Sequence, residues 1–256
     1  MRNGVFIALC MTAALGAATA GGAQDLSVPP PARPAANGEA TSGAASDGVA
    51  APDAATSLAV APADAETPLP IAAPLIAAAR AQVGVTTRYD PSYVSLDYPG
   101  GDVPADRGVC TDVLIRALRD GADIDLQLAL NRDMVPNFSA YPRNWGLSRT
   151  DTNIDHRRVP NLATLFRRLG AEIPDTAGDA EFLPGDVVTM MLPGNLPHIL
   201  VVSDKLSADG KRPLVIHNIG RGTREEDVLE NYPHTGHFRF TGDALAELRR
   251  LGQLQN

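Results

Sequence analysis

Cys110 is the residue of this sequence best suited to act as a nucleophile. It follows a glycine- and proline-rich stretch, 99–108, and precedes a run, 113–118, whose apolar residues recur at helical spacing. The first turn of a helix presents unpaired amides and the positive end of the helix dipole, which favour a thiolate and lower the pKa of a cysteine. We therefore predict that Cys110 is a nucleophile; the alternative is a small apolar residue packed under the helix start.

A thiol nucleophile needs a base, and the base needs a group that holds its ring. Two predicted strands supply candidates: residues 197–203 begin with His198, and residues 213–218 end with His217 and Asn218. Adjacent antiparallel strands bring such positions together. Because side chains alternate between the two faces of a strand, only one of His217 and Asn218 faces His198. The sequence thus predicts a Cys-His-polar arrangement and leaves its third residue open.

The remaining predicted elements frame these candidates. Apolar spacing predicts one helix within residues 124–134 and another at 161–169. Both belong to a segment, 123–168, that separates the Cys110 helix from the strands. Residues 241–251 predict a capped amphipathic helix that carries no visible chemistry.

The same segment contains a run of four charged residues, 155–158. The run is either a salt-bridged loop that fastens the segment to the body, or a cleft wall in which Arg157 and Arg158 bind substrate carboxylates. Trp145, the single tryptophan, is assigned to packing.

A zinc site is a weaker interpretation of the histidines. His156, His198, His217 and an aspartate would supply the ligands, but neither an HExxH motif nor paired CxxC spacing is present. We therefore predict no metal and no organic cofactor.

The chain divides into three unlike parts. Residues 1–20 have the basic start, apolar run and small-residue cleavage site of a secretory signal peptide, with which Cys10 would leave. Residues 21–70 contain 15 alanines and 8 prolines and no apolar periodicity, which predicts a disordered tether. Residues 71–256 are long enough for one globular domain. The expected protein is therefore exported, periplasmic or secreted, with Cys110 as its one cysteine.

Composition also narrows the partners. Residues 71–256 carry 24 acidic and 20 basic residues in an even mixture, which argues against binding of nucleic acid. They contain no long apolar segment, so insertion into a membrane is not expected after signal removal. The oligomeric state is left open.

Three motifs carry a resemblance to known proteins. The stretches YPGGDVPADRGVCTDV, NIDHRRVPNL and HNIG resemble the YijF-like proteins, a Gram-negative family of exported proteins of unknown function, over residues 75–240. More broadly, four features are similar to the NlpC-type branch of papain-like cysteine hydrolases. These are a helix-initiating cysteine, a Pro-Gly-Asp turn into a strand, a strand-opening histidine and an apolar-apolar-His strand.

The broader resemblance implies an α+β fold of the papain-like, NlpC type, in which an N-terminal helix that carries the cysteine packs on a small antiparallel sheet, with a helical insertion. It also implies hydrolysis of amide bonds in peptidoglycan stem peptides. By this resemblance Cys110 is the nucleophile, His198 is the base and His217 orients the base. Tyr98 would help to shape the oxyanion pocket.

The residues after the cysteine depart from that branch, which usually has Ser-Gly where this chain has Thr111-Asp112. An aspartate in the first helical turn stabilises the helix, and it opposes thiolate formation by like charge. If Asp112 lines the cleft, it would bind a cationic amine of the substrate. A non-catalytic module that binds cell-wall peptides is the alternative function, and acyl transfer onto a lipid or amine is a third.

Overall fold

The computed structural model describes residues 71–174 and 181–253. The predicted signal peptide, 1–20, and the predicted tether, 21–70, lie outside the described residues. Within the described ranges, five α-helices and a five-stranded antiparallel sheet form the fold, so the predicted α+β class is confirmed. None of the described helices is both long and apolar enough to cross a membrane.

The sheet has the strand order β6-β5-β4-β3-β7, and a separate parallel pair, β1 and β2, lies ahead of the cysteine helix. The helices are α1 (Ala72–Arg80), α2 (Cys110–Ala122), α3 (Leu126–Met134), α4 (Val159–Arg168) and α5 (Gly242–Gly252). The strands are β1 (Arg88–Tyr89), β2 (Arg107–Gly108), β3 (Val187–Leu192), β4 (Leu196–Leu206), β5 (Pro213–Asn218), β6 (Thr223–Glu226) and β7 (His234–Phe238). Helix α1 precedes the cysteine helix, so Cys110 begins the second helix and not the expected N-terminal one.

Helix α2 is enclosed between α1 and one face of the sheet. Its predicted apolar residues, Val113, Leu114, Ala117 and Leu118, are at most 2% exposed. Helix α1 approaches closely at Gly121, where an added Cβ would lie 2.5 Å from the carbonyl oxygen of Pro74. This packing fixes the direction of α2 and therefore the position of its first residue, Cys110.

Asp186 anchors the predicted Pro-Gly-Asp turn that leads into β3. Its buried carboxylate accepts hydrogen bonds from the Leu183 amide at 2.9 Å, from His237 Nε2 at 2.6 Å and from the Arg239 guanidinium. Burial alone would raise the pKa of Asp186, but the His237 and Arg239 hydrogen bonds lower it below its ordinary value. His237 is accordingly engaged in holding β7 to this turn.

A buried ion pair ties the start of α2 to the inserted segment. Asp112 accepts the Val109 amide at 2.6 Å and both Nε and Nη2 of Arg157, at 3.0 and 2.9 Å. The two side chains are 4% and 2% exposed. Gly108 leaves room for the carboxylate, since a Cβ there would lie 2.9 Å from Asp112 Oδ2.

This ion pair corrects the prediction that Asp112 and Arg157 bind substrate. Arg157 also donates hydrogen bonds to the carbonyl oxygens of Ser92 and Asp90, both at 3.3 Å. Because each charge is already compensated by the other inside the protein, neither is free for a ligand. For Arg157, the salt-bridged loop is therefore the better of the two sequence interpretations.

We predict that Asp112→Ala lowers the free energy of unfolding by about 3–5 kcal/mol, because it leaves the buried Arg157 charge without its partner. Urea denaturation measures the change. Asp120→Ala is the matched control: Asp120 pairs with Arg119 on the surface and is 53% exposed, and we expect a loss below about 1 kcal/mol. Equal losses for the two variants would contradict the structural role of Asp112.

Candidate active site

Cys110 lies on the wall of a pocket of about 380 Å³. It is 5% exposed, and its Sγ interacts with the backbone N–H of Ile199 on β4 and with the N–H groups of Thr111 and Cys110 at the helix start. The polar and aromatic side chains that share the pocket wall belong to Tyr89, Asn144, Trp145, Arg157, Arg158 and Asn195. The thiol therefore meets the sheet on one side and an accessible pocket on the other.

Burial dominates the acidity of this thiol. It raises the pKa of Cys110 to about 11, although the Ile199 N–H lowers it, and the charge of Asp112 raises it further. The N–H groups at the helix start do lower the pKa, as the sequence analysis expected, but their effect is smaller than that of burial. The expected low pKa is corrected, and the resting thiol is protonated at neutral pH.

His198 and His217 form a hydrogen-bonded pair inside the sheet. Nε2 of His198 lies 2.9 Å from Nδ1 of His217, and the residues are 2% and 1% exposed. Burial, followed by the neighbouring His217, holds the pKa of His198 well below its ordinary 6.5. His198 is therefore neutral at physiological pH, and one of its ring nitrogens is already committed to His217.

The third position of the arrangement belongs to His217 and not to Asn218. Asn218 donates from Nδ2 to the Gly108 carbonyl oxygen at 3.0 Å, and its Oδ1 accepts the Gly222 amide at 3.1 Å. It thereby fastens the end of β5 to the segment just before Cys110. The prediction of Asn218 as a substrate-binding residue is corrected, because both ends of its buried amide are occupied.

Cys110 Sγ and the imidazole pair both lie near the start of β4, although His198 does not line the Cys110 pocket. Ile199, whose N–H meets Cys110 Sγ, directly follows His198 in the strand. Within the described residues no hydrogen bond joins Sγ to the His198 ring. The Nδ1 atom of His198 also makes no hydrogen bond to the described residues, yet it is not among their fully enclosed polar atoms. This nitrogen is thus without a hydrogen-bond partner in the described part of the chain.

Glu226 extends the pair by one residue and was missed in the sequence. Its Oε1 lies 3.3 Å from His217 Nε2, which is close enough for electrostatic attraction but outside the angles of a hydrogen bond. The interaction with His217 lowers the pKa of Glu226, which is thus a carboxylate at neutral pH. The available signal was the hairpin of β5 and β6, in which Glu226 pairs with Val215, two residues before His217.

The tyrosine at the pocket is Tyr89, not Tyr98. The Tyr98 hydroxyl donates to Asn131 Oδ1 on α3 at 3.0 Å, and Tyr98 does not line the Cys110 pocket. Tyr89 does line it, and burial, followed by the nearby Cys110, raises the pKa of Tyr89. The predicted role of Tyr98 in an oxyanion pocket is therefore corrected.

Arg158 and Trp145 also line the pocket and contact each other. The Arg158 guanidinium carbon lies 4.0 Å from the centre of the Trp145 ring, and Nη1 donates to Asp155 Oδ1 at 2.9 Å. Trp145 is partly buried, at 38% exposure, and its ring packs against the Arg158 guanidinium. Of the two arginines predicted to bind substrate, Arg158 is the one whose Nε and Nη2 donate no hydrogen bond within the described residues.

The described residues contain no group of three or more His, Cys, Asp or Glu side chains close enough together to hold a metal ion. This finding argues against the zinc interpretation of His156, His198 and His217.

Residues 76–240 match the family described as "Domain of unknown function (DUF1287)". The chain belongs to the DUF1287 family. It is also 54% identical over 162 residues to the "Uncharacterized protein YijF" of Escherichia coli (strain K12), covering 63% of this chain and 78% of that protein. The predicted resemblance to YijF-like proteins is confirmed. Cys110, His198, His217 and Glu226 all lie within the matched DUF1287 range.

We predict that Cys110 reacts slowly with iodoacetamide at neutral pH, because burial raises the pKa of the thiol to about 11. A Cys10→Ser chain leaves Cys110 as the one thiol. Its alkylation rate in the folded protein should keep rising above about pH 8.5, where an ordinary thiol is half ionised. The same chain unfolded in urea is the control and should show that ordinary midpoint. A folded-state midpoint at or below the unfolded one would show that burial does not govern this thiol.

Proposed function

We propose that this protein is an exported cysteine hydrolase of the papain-like, NlpC type that cleaves an amide bond in a cell-wall peptide. The observation that carries the proposal is the buried hydrogen bond between His198 and His217, placed one residue from the backbone group that meets Cys110 Sγ. Cys110 supplies a nucleophile on the pocket wall, and the His198–His217 pair supplies a base and a group that holds the base. The peptidoglycan substrate class and the export rest on the sequence resemblance and the predicted signal peptide.

In the first half of the reaction, Cys110 Sγ attacks the carbonyl carbon of the bound amide. The thiol proton passes to His198 Nδ1 during the attack, because both groups are neutral at rest. The Cys110 N–H at the start of α2 stabilises the charge that develops on the carbonyl oxygen. The carbon–nitrogen bond then breaks, and the leaving amine takes the proton from His198, which leaves a thioester on Cys110.

In the second half, water replaces the amine. His198 takes a proton from the attacking water, whose oxygen bonds to the thioester carbon. The carbon–sulfur bond breaks, the acid product leaves, and His198 returns the proton to sulfur. Thiol and imidazole are regenerated in their neutral forms, so the cycle requires no stable thiolate.

Glu226 fixes which nitrogen of each ring carries the proton. Its carboxylate favours a proton on His217 Nε2, so His217 Nδ1 accepts the hydrogen bond from His198 Nε2–H. A neutral imidazole carries one such proton, which leaves His198 Nδ1 as the acceptor that the reaction needs. Glu226 and His217 are positioning residues, since neither contacts the substrate in this scheme.

A binding module without catalysis is the second candidate. Two observations favour it: the raised pKa of Cys110, and the lack of a hydrogen bond between Sγ and His198 within the described residues. In this case the pocket holds a cell-wall peptide and releases it unchanged.

We predict that the wild-type protein releases a new amine and carboxylate from purified muropeptides, and that Cys110→Ala lowers the rate at least about a thousandfold. Mass spectrometry of the digest identifies the bond. Thr87→Ala, a substitution outside the pocket wall, is the control. Equal products from the wild type and Cys110→Ala would overturn the thiol mechanism. Binding without any product from the wild type would favour the binding module.

In the proposed mechanism, protonation of His198 sets the acid limb of the pH dependence of kcat/KM. Neutral His198 accepts the proton, and a lowered pKa keeps it neutral at more acidic pH. We therefore expect the acid limb of kcat/KM to lie well below pH 6.5. A limb at or above that value would contradict the assignment of the buried His198 as the base.

We predict that Glu226→Gln lowers kcat by about tenfold or more, as loss of a group that orients a catalytic histidine does. It should also shift the ¹⁵N signals of His217 toward the Nδ1–H tautomer. Glu225→Gln is the matched control, because Glu225 is next in sequence but pairs with Arg80 and Lys205 instead. If both variants leave the His217 signals unchanged, Glu226 does not set the tautomer.

A further inference from the structure

Arg158 is held in a fixed orientation on the wall of the Cys110 pocket. Its Nη1 donates to Asp155 Oδ1 at 2.9 Å, and its guanidinium lies 4.0 Å above the ring centre of Trp145. The Arg158 side chain is 16% exposed. The protein thus contacts one face of the guanidinium, through Trp145, and one of its nitrogens, through Asp155. The side chain therefore has little freedom to reorient.

The Nε and Nη2 groups of Arg158 remain unused. Neither donates a hydrogen bond within the described residues, and neither is among the fully enclosed polar atoms there. Together they form the edge of the guanidinium that binds both oxygens of a carboxylate. In Arg157 the same two groups already donate to the two carboxylate oxygens of Asp112, at 3.0 and 2.9 Å, so they cannot bind a ligand.

The rest of the wall adds no negative charge. Arg157 and Arg158 are the charged side chains that line this pocket, and the polar neighbours Asn144 and Asn195 are neutral. Asp155, the partner of Arg158, does not line the pocket. The charged groups of this pocket wall are therefore positive, which favours an anion over a cation in the pocket.

We infer that Arg158 binds a carboxylate of the substrate, so that the substrate is an anionic peptide with a carboxylate close to the bond presented to Cys110. This inference deepens the proposed function and rests on it for the position of that bond. Trp145 keeps the guanidinium in place, and a ligand bound at Arg158 lies against this ring. The pocket thus discriminates a free carboxylate from its amide, which cannot accept both hydrogen bonds of the fork.

Binding to the Cys110→Ala protein tests the inference without turnover. The probes are a purified muropeptide with free carboxyl groups and the same muropeptide after amidation of those groups. Trp145 is the single tryptophan, so its fluorescence reports occupation of the pocket. We expect the free acid to bind about tenfold or more tightly than the amide, because a hydrogen bond to a charged group is worth at least one factor of ten.

Variants of Arg158 assign the preference to this residue. Arg158→Met should abolish the preference for the acid. Arg158→Lys keeps the charge beside Asp155 but cannot donate two parallel hydrogen bonds to a carboxylate. This variant should retain only part of the preference for the acid. Arg88→Met is the control, since Arg88 is 62% exposed, pairs with Asp106 and does not line the pocket. Urea denaturation of each variant shows that the fold is retained.

Equal binding of acid and amide by the Cys110→Ala protein would overturn the inference, as would an unchanged preference in both Arg158 variants. The proposed function fails in a different way, because it requires product from the wild-type protein. A preference for the acid without any hydrolysis would support the role of Arg158 and reject the hydrolase. Hydrolysis with equal rates for acid and amide would reject the role of Arg158 alone.

Discussion

The buried ion pair between Asp112 and Arg157 is the contact on which the geometry of the candidate site depends. One guanidinium reaches the first turn of α2 and the carbonyl oxygens of Asp90 and Ser92. It thereby joins three chain segments that are far apart in sequence. All three line the pocket, through Tyr89, Cys110 and Arg158. A charge inside the protein is stable only with such partners, so the three segments cannot separate without exposing or stranding it.

Burial, rather than the helix dipole, sets the resting state of the catalytic candidates. Enclosure disfavours every charged form, which raises the pKa of Cys110 and lowers that of His198. The resting pair is consequently thiol and imidazole rather than thiolate and imidazolium. A neutral pair places a stringent demand on proton position, because the base must present a lone pair at the moment of attack. In the proposed mechanism, the order His198, His217, Glu226 meets that demand, because the Glu226 carboxylate lies beside His217 and His217 is hydrogen-bonded to His198.

The parts of the fold that the sequence predicts correctly are those governed by local spacing. Apolar periodicity locates α2 and β3 to β5, and strand alternation allows only one of His217 and Asn218 to face His198. The failures involve partners that local spacing cannot identify. Asp112 and Arg157 are 45 residues apart, and a charged residue in the sequence looks the same whether it faces solvent or an opposite charge. The raised pKa of Cys110 is unpredictable for the same reason, because desolvation depends on the packing of Ile199 against the helix start.

The adjacent residues Arg157 and Arg158 show how one short charged run serves two purposes. Both follow Asp155 at the turn that opens α4, and successive residues of such a turn point in different directions. Arg157 is buried and donates from Nε and Nη2 to Asp112. Arg158 lies on the pocket wall, and its Nε and Nη2 donate no hydrogen bond within the described residues. The first arginine fixes the wall, and the second is positioned by it. The two interpretations of this run, a salt-bridged loop and a binding wall, are therefore compatible. The buried Arg157 ion pair holds the loop in place, and the loop in turn positions Arg158 on the pocket wall.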